Sequence, residues 1–147
     1  MTKLTKSIEI QASPEKIFAF MLSDKMNNVW GKWMEGKWTT EGPVGVASIS
    51  HWVAKPGYKI KGEWDEVVTE FQENKMMTMK TVEGSKMKME VTGFLEPTPN
   101  GTKVTYTEEY QVPYSVLGMV MDKLSLRKET EKFMESFLQE LKKNIET

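Results

Sequence analysis

The stretch from Ser115 to Ile145 constrains the fold more than any other. Apolar residues fall at Leu117, Val120, Met121 and Leu124, then at Phe133, Met134, Phe137, Leu138, Leu141 and Ile145. Steps of three and four residues put them on one stripe of an α-helix. Pro113 ends the preceding pattern, and Ser115 is a suitable N-cap. About thirty residues rising ~1.5 Å each give a rod of roughly 45 Å, which has to lie across a wide apolar surface. The stripe is interrupted between Leu124 and Phe133, where Leu126 is the only apolar residue. On the helical wheel Lys128 falls on the axis of the first half of the stripe, flanked by Arg127 and Glu131. The gap is either a solvated drift of the stripe or a place where polar groups face a cavity.

Upstream, the pattern is a sheet suited to receive such a rod. Ile8 and Ile10 alternate with polar neighbours in a first strand from Leu4 to Gln11. Ser13-Pro14-Glu15 starts a helix with an N-cap serine, proline at the first position and an acid in the first turn. Asp24 can cap a second short helix running to Val29, after which Trp30, Trp33 and Trp38 are interleaved with glycines. Strands are then expected at Trp38–Glu41, Val46–Ala54, Tyr58–Phe71, Met76–Val82, Lys86–Glu96 and Thr102–Val112. Turns at Pro56-Gly57, Glu73-Asn74, Gly84 and Asn100-Gly101 separate the later ones. Such short connections force antiparallel neighbours, so these six strands form a meander. One face is charged (Lys59, Lys61, Glu63, Lys86, Lys88, Glu90, Lys103) and is expected to be wet. The apolar face needs the long helix as its cover. The expected fold is α+β: a curved seven-stranded antiparallel sheet gripping a C-terminal helix, as one domain over residues 1–147.

The remaining composition mainly excludes. A formal charge of −1, without a basic run, gives no footprint for nucleic acid. No cysteine is present and His51 is the only histidine, so neither a thiolate nor a transition-metal site is expected. No Walker or dinucleotide glycine pattern occurs, and no cofactor is expected. No apolar run reaches the ~18 residues of a membrane span, and Met1 to Lys6 lack the apolar core of a signal peptide, so the expected location is cytoplasmic. Twelve methionines are many for this length and suit an adaptable apolar surface.

The element order, together with Ser13-Pro14-Glu15-Lys16-Ile17-Phe18 after the first strand, resembles the START-like or Bet v 1-like (SRPBCC) superfamily. Trp38 ahead of Gly42-Pro43-Val44-Gly45, Val68-Thr69-Glu70-Phe71, and Glu96-Pro97 leading to Gly101-Thr102-Lys103-Val104-Thr105 strengthen the likeness. Within that superfamily the chain is most similar to the polyketide cyclase/dehydrase and lipid-transport group. The resemblance implies a helix-grip fold with an internal cavity between sheet and helix. It implies a hydrophobic ligand such as a lipid or polyketide. These motifs shape turns and packing and hold no catalytic group, so they leave function open.

Strand parity nominates the inner face: Ala47, Ile49, His51, Val53; Ile60, Trp64, Glu66, Val68; Met77, Met79, Thr81; Met87, Met89, Val91; Val104, Tyr106, Glu108, Tyr110. Mostly apolar walls with a few convergent polar groups suit a small-molecule pocket. Candidate ligand contacts are Trp38, Ile49, His51, Trp64, Glu66, Met77, Met79, Met87, Met89, Tyr106, Glu108 and Tyr110 from the sheet side. Met121, Leu124 and Arg127 join them from the helix. Glu108, set between two tyrosines opposite the polar gap, is expected to be buried, either neutral or paired with Arg127. The leading reading is a carrier or sensor of an apolar small molecule. The alternatives are an enzyme of the cyclase/dehydratase kind and a protein-interaction module, as in the Hsp90 ATPase activator, whose activator domain shares the superfamily.

Overall fold

The structure, a computed structural model, describes residues 2–113, Val116 and residues 122–147. Strand β1 (Thr2–Ile10) is followed by helix α1 (Pro14–Leu22), a 3-10 turn (Asp24–Met26) and helix α2 (Asn27–Trp30). Strands β2 (Met34–Trp38), β3 (Ile49–Ala54), β4 (Glu63–Gln72), β5 (Met76–Thr81), β6 (Lys88–Thr98) and β7 (Gly101–Gln111) follow, and helix α3 (Lys123–Glu146) comes last. The strands form a seven-stranded antiparallel sheet in the order β1-β7-β6-β5-β4-β3-β2, so the expected meander holds and β1 closes it against β7. This is the helix-grip fold.

Local chemistry accounts for the element starts. The Ser13 side chain accepts a hydrogen bond from the Lys16 N–H at 3.2 Å and Pro14 opens α1. Such a cap stabilises by about 1 kcal/mol. Asp122 caps α3 by accepting from the Ser125 N–H at 2.7 Å. The helix therefore begins at Lys123, later than the sequence pattern suggests, and its 24 residues span roughly 36 Å. Ser115, Leu117, Val120 and Met121 lie outside the described residues. The later start also resolves the interrupted stripe. Counting back from Phe133, Phe137 and Leu141, the buried face runs through Thr130 and Leu126, whereas Leu124 is 62% exposed. Leu124 is thus corrected to a surface position. Thr130, wholly buried, fills the gap.

Helix α3 lies on the sheet's concave side through Phe133, Met134, Phe137, Leu138 and Leu141. Each such side chain contributes about 1.5–3 kcal/mol on burial. Lys6 of β1 pairs with Glu135 at 3.1 Å, and the Lys142 ammonium donates to the Glu9 carbonyl at 2.9 Å, so the helix is also tethered along the sheet's edge.

Three expectations about the sheet are corrected. Strand β2 is Met34–Trp38, not Trp38–Glu41. Strand β4 starts at Glu63, because Gly62 at φ +97° breaks the extended run from Tyr58. Strand β3 starts at Ile49, because Ala47 takes a left-handed φ of 77°. The buried set of β3 is the opposite of the expected one. Ser50 and Trp52 point inward, and Ile49, His51 and Val53 do not. Burying an indole outweighs burying a valine. The cross-strand partners agree, since Trp52 lies opposite Trp64 and Ser50 opposite Glu66.

Candidate functional site

A cavity of about 120 Å³ lies between the sheet, the helical connection after β1, and α3. Its walls are tryptophan and methionine. Trp30 and Trp52 meet edge to face at 4.6 Å between ring centres, and Trp52 stacks on Trp64 across the strand pair at 6.4 Å. Trp52 lies flat over Gly36, where a Cβ would strike its ring, so only glycine leaves room for the indole at that position. Met21, Met26, Met34, Met77, Met79 and Met89 supply much of the remaining lining. The lining runs out to the exposed Asp24 and Lys37, and the cavity opens there.

Its polar end is built by three separate elements. Lys59, in the segment between β3 and β4, is 4% exposed. Its ammonium lies 2.8 Å from Glu108 Oε2 on β7 and donates to Thr130 Oγ1 on α3 at 3.0 Å. The rings of Phe133, Tyr110 and Tyr58 surround it at 5.3, 5.4 and 5.8 Å. Tyr106 donates to the other Glu108 oxygen at 3.0 Å, and Thr130 donates on to the Leu126 carbonyl at 2.8 Å. Lys59, both Glu108 oxygens and Thr130 each have a hydrogen-bond partner, as a buried ion pair requires. The Tyr58 and Tyr106 hydroxyls are raised well above the usual tyrosine range, by burial first and the Glu108 charge second.

Glu66 sits beside this cluster under different terms. It is 5% exposed, and its Oε2 accepts from the Trp64 indole at 2.7 Å. Burial pushes its carboxyl up to about 7. The indole hydrogen bond opposes that rise, and the neighbouring Glu108 charge adds to it. It can therefore carry or release a proton near neutrality.

Of the residues nominated from sequence, Trp38, Trp64, Glu66, Met77, Met79, Met89, Tyr106 and Glu108 line this cavity together. Met87 and Tyr110 are buried but lie outside the lining; Tyr110 instead faces Lys59. Ile49 and His51 are on the other face of β3. There His51 bridges Asp65 through Nδ1 at 2.7 Å and Glu63 through Nε2 at 2.8 Å, and these two carboxylates raise its pKa. Arg127 is corrected as the partner of Glu108. It is half exposed and reaches Glu131 one helical turn on, at 3.3 Å. Lys59 takes its place, and Lys59 is corrected from the wet face to the core. Met121 lies outside the described residues. Trp30 and Trp38 reach the cavity, whereas Trp33 packs on Phe133. Sequence reasoning missed Lys59, Ser50, Trp52 and Tyr58. The one available signal was Lys59 set between two large apolar residues, Tyr58 and Ile60.

The chain matches the family model described as polyketide cyclase / dehydrase and lipid transport over residues 1–146. No curated protein matches the sequence. Solved structures with the same fold include a START superfamily protein from Mycobacterium smegmatis (TM-score 0.75, 15% identity, 98% of this chain and 97% of that one). A protein from Thermus thermophilus aligns at TM-score 0.72 and 23% identity over 98% and 97% of the two chains. The Aha1 dimer from Colwellia psychrerythraea aligns at TM-score 0.68 and 24% identity over 99% and 97%. At these identities the structural likeness establishes the fold.

Proposed function

The chain belongs to the polyketide cyclase/dehydrase and lipid-transport family, and we propose that it binds an apolar small molecule in the cavity between sheet and α3, as a carrier or sensor. The observation that carries this reading is an indole- and methionine-walled cavity that ends in a buried, hydrogen-bonded polar cluster. The apolar walls would supply most of the affinity, and the few polar groups the orientation. Size limits the occupant. About 120 Å³ is well below the roughly 300–1,000 Å³ of sites for drug-sized ligands and close to what a single aromatic ring needs. A longer ligand requires rearrangement of the methionines, whose unbranched side chains permit it at low cost.

Native mass spectrometry of the purified protein, together with titration of an apolar fluorescent probe, tests the reading. The probe should be taken up without loss of the cooperative melt. Met89→Trp fills the cavity and should reduce uptake about tenfold, with little change in the melting temperature. Lys88→Ala, on the opposite face of the same strand, should leave uptake unchanged. Uptake that ignores Met89→Trp and responds to Lys88→Ala would overturn the cavity as the site.

A further inference from the structure

The ligand site proposed above is bordered by two buried carboxylates, Glu66 and Glu108, and one buried cation. Lys59 is committed to Glu108 and Thr130. Glu66 is held by the Trp64 indole and has no cationic partner among the described residues. Its Oε1 makes no hydrogen bond to a described residue, yet among those residues no fully buried side-chain oxygen or nitrogen is left unpartnered. Glu66 is itself among the residues that line the cavity. The charged and titratable groups around Glu66 are Tyr58 and Lys59 ahead of β4, and Tyr106 and Glu108 on β7. Across the strands Ser50 and Thr81 flank it, and α3 contributes the uncharged Thr130 and Phe133. His51 and Lys80 belong to the other face. At the mouth, Asp24 adds a negative charge, and Lys37, paired in register with His51, turns to the outer face.

We propose that the occupant is a small apolar amine, bound as its ammonium ion between the Glu66 carboxylate and the surrounding indole faces, and that acids of the same shape are excluded. This rests on the ligand-cavity reading and names its ligand class. Three observations converge on it. The cavity wall holds an acidic group, Glu66, one of whose oxygens has no partner among the described residues. Trp30, Trp38, Trp52 and Trp64 line the space around it, and aromatic faces attract cations. The chain already seats one ammonium this way, since Lys59 lies against a carboxylate and inside three rings in the same core. A carboxylate ligand would meet two acids, Glu66 and Glu108, while the buried cation beside them, Lys59, is already committed to Glu108. The upward shift of Glu66 fits the same picture, because a carboxyl without a cation resists ionisation until one arrives.

Titration of the protein with benzylamine, benzyl alcohol and benzoate, followed calorimetrically at pH 6 and pH 8, tests the assignment. At pH 8 benzylamine should bind roughly ten- to hundredfold more tightly than benzyl alcohol, the range of a charge-assisted hydrogen bond, and benzoate should not bind measurably. At pH 6 the amine's advantage should shrink, because binding then has to expel the Glu66 proton. Glu66→Gln should erase the preference and keep the affinity for benzyl alcohol. If that variant does not fold, the wild-type pH comparison decides alone. Benzyl alcohol or benzoate binding at least as well as the amine at pH 8 overturns the amine while leaving the ligand cavity standing. Failure of all three, and of the fluorescent probe, overturns both.

Discussion

Glu108 and Glu66 are buried in one core and solve the same electrostatic problem in opposite ways. Glu108 has a lysine 2.8 Å away, a tyrosine on its other oxygen, and a threonine sharing the lysine. Glu66 has one indole N–H and responds by holding its proton to about 7. The first arrangement is closed in that both Glu108 oxygens already accept from a donor. The second is open, with its charge state undecided near neutrality and one oxygen without a partner among the described residues. A complete buried network specifies structure, and an incomplete one at a cavity wall marks where chemistry can occur.

The largest test of that contrast is to break the closed network. Lys59→Met or Glu108→Gln alone leaves a buried group without its partner and should cost roughly 3–5 kcal/mol in denaturant melts. The double variant should cost less than the sum of the two. Additive effects below about half a kcal/mol would show that the pair is not buried in solution. Glu66 comes next. Its folded pKa of about 7 lies above the ordinary 4.5, so the native state holds the extra proton. Its stabilising effect is fully present below pH 4.5 and is lost as pH rises to about 7. The loss approaches roughly 3 kcal/mol at about pH 8. The stability difference between wild type and Glu66→Gln, followed from about pH 4 to 8, should show that slope, and a flat difference would remove Glu66 from its role. The smallest effect belongs to His51, on the solvent side of β3. Its raised pKa means that its ion pairs are intact below about pH 6.5 and fade as pH rises through the folded value. Exposure screens them, so His51→Asn should cost under about 1 kcal/mol at pH 6 and less at pH 8.

The two carboxylates also mark what can be read in the sequence. Both lie on strands whose alternation is unbroken around them, Trp64-Glu66-Val68 on β4 and Val104-Tyr106-Glu108-Tyr110 on β7, and parity places both inward. What fails is the choice between the two alternating sets of β3, and alternation itself where the chain is not a strand. On β3 the buried set is Ser50 and Trp52, which leaves His51 on the other face, and Tyr58, Lys59 and Ile60 are buried in succession in the non-strand segment ahead of Gly62. The helix poses a related problem. Its N-cap at Asp122 separates it from the apolar residues before it, and a single-stripe reading selects Arg127 over Thr130 as the residue opposite Glu108. The fold is legible because turns and amphipathic periods are local. The polar tie joins residues 49 and 71 positions apart, and no local pattern records it.

Pairing of β1 with β7 has a consequence for synthesis on the ribosome. Thr5 lies opposite Thr107, 102 residues later, and the register runs unbroken from Thr2–Tyr110 to Ile10–Thr102. At roughly 5–20 residues per second, β1 spends on the order of 5–20 s outside the tunnel before its partner follows. Through that interval it is a lone strand edge, the kind of segment that recruits other nascent chains. Lys3, Lys6 and Glu9, spaced along it, keep it charged while it waits. Replacing them with apolar residues should lower the yield of native chains made in translation while leaving refolding of the purified protein at high dilution largely unaffected.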